Sequence, residues 1–311
     1  VFIYLLPVDL MQSLWLIFQL LCCLCLGFVL AKRLPRIIEK IAFQLLPYFS
    51  YILLIAIAME FSQTLGSLQQ PSHILSTALQ IAFATSIGAF LCCYLLYKGL
   101  GLQATQGKVS LQLLIQSCIN ISYAFFVFFA GYVLHLLFSA MDFQVQINTW
   151  YLLLLFMWMI GLDLAYSPLD RSWLNWKILM VPVGCIFGSV AGVLLCALWL
   201  PIALQDLLML SQGYGFYSMS GIVVSELRNA ELGSIALMND LFREIFAILL
   251  MYILGWRYPR AAISAAGATA MDVTLPMVKQ ACGNDFIPHA MVSGFVLSIL
   301  APIAVSVLAA I

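Results

Sequence analysis

The sequence predicts an all-α integral membrane protein, and three observations carry that prediction. Apolar residues make up 64% of the chain and charged residues 8%, against roughly a quarter charged in an ordinary soluble domain. Uncharged apolar runs of about twenty residues, the length a helix needs to cross the hydrocarbon core, recur along the whole sequence. These runs do not alternate polar and apolar residues over about ten positions, as the strands of a transmembrane barrel would. No stretch is left for a soluble domain. Residues 1–311 therefore read as a single transmembrane domain, with a first half of about 1–177 and a second half of about 178–311.

Taken in order, the runs at 10–31, 41–60, 74–97, 109–138, 147–164, 178–200, 233–254 and 285–310 read as eight spans. A straight helix over 109–138 would be about 45 Å long at 1.5 Å per residue, more than a core of about 30 Å. That length predicts a tilt or a break, with Asn120 and Ser122 marking where a break would fall. Two further segments, 203–225 and 262–282, are apolar enough to enter the membrane but are studded with Gly, Ser, Thr and Pro. They read as broken or re-entrant elements. With eight spans, Lys32, Arg33, Arg36, Lys40, Lys98, Lys108, Arg171, Lys177, Arg257 and Arg260 share one face, and the opposite loops are read as free of Lys and Arg. Short cytoplasmic loops are the ones enriched in these residues, so both termini are expected outside. The alternative is ten full spans as inverted repeats of five, which would move Arg257 and Arg260 to the outer face.

Formal net charge is zero and the cations are scattered, which argues against a nucleic-acid partner. Cys22, Cys23, Cys25, Cys92, Cys93, Cys118, Cys185 and Cys196 fall inside the expected spans, where cysteine behaves as a small hydrophobe. No metal, cofactor or disulfide framework is expected from them. The chain opens on Val1 rather than Met, which leaves room for a preceding or trimmed segment, and nothing is drawn from its first residues.

Charged residues at membrane depth cost about 2.5–3.5 kcal/mol each even on lenient insertion scales, so they usually face a cavity and carry a function. Here they gather late in the chain. The stretch NDLFREIFAILL places Asn239, Asp240, Arg243 and Glu244 at helical spacings, with Asp240, Arg243 and Glu244 on one face. Asp240 and Arg243 are spaced to neutralise each other, so the sequence offers no further cation at helical spacing for Glu244. In GATAMDVTLP, Pro276 cannot supply the N–H that would bond back to residue 272, so the chain around Asp272 is expected to be unwound. Backbone freed in this way persists at membrane depth only when buried in protein or lining a water-filled cavity. The bland reading of Asp272 is the cap of a kinked helix. GYGFYSMSG, with Gly213, Gly215 and Gly221, allows close backbone approach and offers hydroxyls from Tyr217, Ser218 and Ser220, although small residues and serines also serve ordinary helix packing. Thr269 and Thr274 supply further oxygens in the second broken segment. Two interrupted segments entering from opposite faces point to a binding site where they meet. His73 and His135 are expected at the interface, His289 in a packing role, and Glu60 and Asp163 at span ends.

The blocks GYGFYSMSG, NDLFREIFAILL, GATAMDVTLP and FIPHAMVSGFVLS, in this order and spacing over about residues 210–311, resemble the bacterial lysine exporter family of LysO type. Over the first 200 residues the likeness rests on span count. The resemblance implies a multi-pass bacterial inner-membrane exporter of L-lysine with both termini outside. It also implies a pair of intramembrane acids needed for transport, matching Glu244 and Asp272 here. The chain departs from that pattern in loops such as GLGLQATQG at 99–107, which carry few charges. The mechanism expected is lysine/proton antiport, with L-lysine, protons and the lipid bilayer as partners and no enzymatic activity. A Na⁺ or other monovalent cation/proton antiporter is the alternative, served by the same acids with oxygens from Thr269, Thr274 or Ser220. An intramembrane aspartyl protease is a remote third reading, because GYGF contains no Asp and TLP follows Asp272 where that enzyme class has PAL.

Overall fold

In a computed structural model the chain is described at residues 8–33, 36–67, 71–101, 111–141, 143, 148–166, 175–271 and 274–310. The described residues are predominantly helical and include no strand. In order, the helices are α1 (Val8–Leu30), α2 (Arg36–Ser67), α3 (Pro71–Gly99), α4 (Leu111–Ala140), α5 (Thr149–Tyr166) and α6 (Trp176–Cys196). There follow α7 (Leu204–Leu210), α8 (Tyr217–Leu227), α9 (Ala230–Leu250), α10 (Pro259–Ala266), α11 (Leu275–Met277) and α12 (Ile287–Ala310).

Four stretches among the described residues are long and apolar enough to cross a membrane by length and composition: Gln44–Gln63, His73–Gly99, Trp176–Cys196 and Asn284–Ala309. Phe18–Leu30, Phe125–Ala140 and Thr149–Asp163 are apolar but shorter. The remaining expected span, 233–254, is helical as α9 and continues as a π-helical turn over Met251–Gly255. Within that span Asp240, Arg243 and Glu244 lower its apolar character. The break expected near Asn120 and Ser122 is not present, since α4 runs unbroken from Leu111 to Ala140. That helix contains no proline, and Asn or Ser within a helix can bond locally without ending it.

Small residues set the helix contacts. A Cβ on Gly88 of α3 would overlap the Gly188 carbonyl of α6, and one on Gly192 would overlap the Ala84 carbonyl. The α1–α5 contact repeats the device, with Gly27 against Trp158 O and Gly161 against Leu24 O. Lipid removes the hydrophobic drive between helices, so close backbone approach at small residues is what makes such packing favourable.

The two interrupted segments fold back on themselves. Gln205, at the start of the first, and Arg228, just past its end, both donate to the Leu308 carbonyl near the end of α12, at 3.2 and 3.5 Å. Asp206 and Arg228 add an ion pair at 3.7 Å. The second segment returns to the opposite end of α12. Arg260 donates to His289 Nε2 at 3.1 Å and lies 5.1 Å from the Phe286 ring, so the segment's start meets the residues that follow it. His289 and Leu308 are nineteen residues apart on α12, about 28 Å at 1.5 Å per residue. That is close to the thickness of a hydrocarbon core of about 30 Å.

Lys98, Lys177, Arg257 and Arg260 gather at the His289 end, where Tyr97 donates to the Lys177 carbonyl and carries the Arg260 guanidinium 5.0 Å above its ring. The sequence reading of the opposite loops as free of Lys and Arg needs correction. Arg228 sits at the Leu308 end, held by Asp206.

Candidate functional site

Both folded-back segments lose their regular helix in the middle, and the two breaks touch. After α7 the chain tightens into a 3₁₀ turn at Ser211–Gly213, and Tyr214 then adopts a left-handed conformation at φ 51°. After α10 the chain breaks at Gly267, with φ 64° and ψ −127°, and a 3₁₀ turn covers Gly267–Met271. The Ala268 N–H donates to the Tyr214 carbonyl at 2.9 Å. A Cβ on Gly267 would overlap that same carbonyl, so only glycine allows the contact.

The middle of α9 supplies what the breaks lack. Asn239 donates its amide to the Leu210 carbonyl at the end of α7 (3.0 Å). Asp240 accepts the Gly215 N–H at 3.0 Å and the Ser220 hydroxyl, which secures the start of α8. A Cβ on Gly213 would overlap the Asp240 carboxylate, so Gly213 makes the space for it. Arg243 reaches the other segment, donating from Nε to the Ala265 carbonyl of α10 at 3.4 Å. Its Nη2 donates to Ser189 Oγ at 3.0 Å and to Cys185 Sγ at 3.1 Å, both on α6, and the guanidinium lies 5.7 Å from the Tyr214 ring. One polar stripe on one helix thus ties together both breaks.

The ion pair expected between Asp240 and Arg243 is not formed. Both are fully buried, but each side chain is drawn to the frayed backbone of a different segment. The Nη1 of Arg243 has no hydrogen-bond partner among the described residues. Glu244, one residue further along, is buried at 4% exposure. Asp272 lies outside the described residues, between Met271 and Thr274.

Of the other oxygens singled out from the sequence, Ser220 joins the Asp240 network directly. Thr269 donates to the Ala266 carbonyl at 2.9 Å, and Thr274 donates to the Thr269 carbonyl at 3.0 Å, so both hydroxyls serve their own broken segment. Ser218 is buried and Tyr217 half-buried in the first turn of α8. Pro276 falls within the short helix α11, where its missing N–H costs little because helix-start N–H groups have no intrahelical partner. The interruption lies ahead of it, as its chemistry requires. His135 is bonded to Ser62 at 2.9 Å, Glu60 accepts the Thr149 hydroxyl at 3.0 Å, and His73 is exposed. No group of three His, Cys, Asp or Glu among the described residues is placed to hold a metal ion.

Sequence reasoning missed Cys185 and Ser189 as partners of Arg243. Each is one small polar residue in an apolar span, with nothing in its spacing to distinguish it from packing. It also missed the Leu308 carbonyl, whose role no side chain announces.

Together the apolar helices, the two broken segments and the buried charged stripe define a helical membrane protein of transporter type. Residues 125–309, more than half of the chain, match the family described as lysine exporter LysO, and the chain belongs to that family. It is 37% identical over 158 residues to the lysine exporter LysO of Escherichia coli K12, an alignment covering 50% of this chain and 53% of that protein. It is 32% identical over 155 residues to a Haemophilus influenzae protein named "Putative lysine exporter", covering 49% of this chain and 80% of that one. The chain thus spans about half the length of the Escherichia coli relative. No solved structure matches it.

Proposed function

We infer that this protein exports L-lysine across the bacterial inner membrane by proton antiport, with Glu244 and Asp272 as the shared site for substrate ammonium and proton. The observation that carries the reading is the contact of two broken segments beside a helix bearing buried acids, in a chain of the lysine exporter LysO family. Membrane transporters commonly bind substrate where discontinuous helices meet. The contacts of each segment with its own end of α12 favour eight spans with two dipping segments over ten full spans.

The energetics favour exchange. Lysine carries a net charge of about +1, and moving it outward against an inside-negative potential costs about 2.3 kcal/mol per 100 mV. One entering proton cancels that cost, and two would turn the potential into a driving force. Because Asp240 is engaged by Gly215 and Ser220, it serves as a structural acid rather than a coupling one. Arg243 is suited to the substrate carboxylate through its Nη1, which has no hydrogen-bond partner among the described residues, while Nε and Nη2 stay anchored to α10 and α6.

Glu244→Gln and Asp272→Asn keep shape and most hydrogen-bonding capacity but remove the titratable proton. In reconstituted vesicles each variant should match the parent in abundance and melting temperature while losing lysine-driven proton flux. Near-normal lysine/proton exchange by both variants would overturn the shared site. Proton flux that follows a Na⁺ gradient and ignores lysine would establish the cation antiporter instead.

A further inference from the structure

We propose that the cavity at the His289 end of the bundle, lined by Lys98, Arg257 and Arg260, is a binding site for the phosphate of an anionic phospholipid. The cavity has a volume of about 290 Å³ and lies between the end of α3 and the start of α10. That is near the lower bound of about 300 Å³ for small-ligand pockets, enough for a headgroup with the acyl chains left outside. Three cations line it, and among the described residues that line it there is no carboxylate.

Aromatic rings lie against all three cations. Lys98 lies 6.0 Å from the Tyr94 ring, Arg257 lies 5.4 Å from that of Tyr258, and Arg260 stands 5.0 Å from that of Tyr97. Arg260 is fixed further by His289. An arginine can only donate, so Nε2 of His289 accepts and its proton sits on Nδ1. Cation–π contacts orient the cations while leaving most of their N–H donors unspent. The first turn of α10, with Pro259 at its start, adds N–H groups without intrahelical partners and the positive end of a helix dipole. A cationic amino acid would be repelled here, so the site stands apart from the transport reading.

Helix α3 points to a lipid as the source of the phosphate. Leu91, Tyr94, Leu95 and Lys98 follow helical spacing and share one stripe. Leu91 and Leu95 are 49% and 61% exposed on a stretch of membrane-spanning length and composition, and the stripe ends in Lys98 at the cavity. Acyl chains along the two leucines would bring the headgroup phosphate to the three cations. Tyr94, Tyr97 and Tyr258 stand where an interfacial aromatic belt is expected. Basic pockets between membrane helices are suited to anionic headgroups.

The test uses the full chain purified in a zwitterionic detergent, with phosphatidylglycerol, phosphatidylcholine or inorganic phosphate added. Retained lipid is read by native mass spectrometry and stabilisation by melting temperature. Phosphatidylglycerol should bind and raise the melting temperature, with phosphatidylcholine and inorganic phosphate doing little. A Lys98→Gln/Arg257→Gln protein, altered at two exposed side chains, should bind phosphatidylglycerol about 30-fold more weakly. Arg228→Gln, at the other end, should leave retention unchanged. Equal stabilisation by inorganic phosphate would make this a soluble-anion site and overturn the proposal. Equal retention of phosphatidylcholine, or undiminished retention by the double variant, would overturn it as well.

Discussion

Two charged regions of this molecule treat their charges in opposite ways. At the crossing of the broken segments, Asp240 and Arg243 have no exposure and are tied to backbone and hydroxyl groups. At the His289 end, Lys98 and Arg257 are exposed and Arg260 half-buried around an open cavity, and their contacts among the described residues are with aromatic rings and His289. The difference follows from where each region stands relative to water. A fully buried charge must find fixed partners, so Asp240 and the anchored nitrogens of Arg243 become part of the scaffold. Charges at the end of a bundle keep their hydration, and their field stays available to a ligand.

Three substitutions probe that contrast, from the largest expected effect to the smallest. Gly267→Ala should be the most damaging. It places a side chain at φ 64° and ψ −127°, where backbone strain costs about 1–3 kcal/mol, and drives a Cβ into the Tyr214 carbonyl. Melting temperature and the folded fraction on size-exclusion should both fall; an unchanged protein would mean that the two breaks are not rigidly joined. Next comes Asp240→Ala, which strands the buried Gly215 N–H and should cost about 1–3 kcal/mol. Asp240→Asn keeps an acceptor for that N–H and should melt between Asp240→Ala and the parent. If the Asn protein instead melts as low as the Ala protein, the carboxylate's charge matters more than the bond to Gly215. Smallest is Gly101→Ala at the rim of the basic cavity. Its φ of 68° disfavours a side chain, but no described residue lies within 4 Å of the added Cβ. The cost should stay near about 1 kcal/mol, and a loss as large as that of Gly267→Ala would show that the cavity rim is as tightly constrained as the crossing.

Much of this was legible in the sequence. Apolar run length located α1 to α6, α9 and α12, because a helix crossing lipid must be long and continuous. Gly213, Gly215, Gly267 and Pro276 marked both interruptions, since they are the residues that a helix tolerates least. Spacing put Asn239, Asp240, Arg243 and Glu244 on one helix, and the cost of burying them marked that helix as the candidate site. What spacing could not assign was partnership. Residues three apart on a helix are neighbours, which made an Asp240–Arg243 pair the natural reading. The structure turns Asp240 to Gly215 and Arg243 to Ser189 and Ala265, partners 25, 54 and 22 positions away. Such pairings are set by which frayed backbone groups reach α9, and that depends on how the two segments fold back along α12. The basic cavity was likewise out of reach. Lys98 and Arg257 show their sign in the sequence, but only the packing of α10 against the end of α3 leaves a void between them.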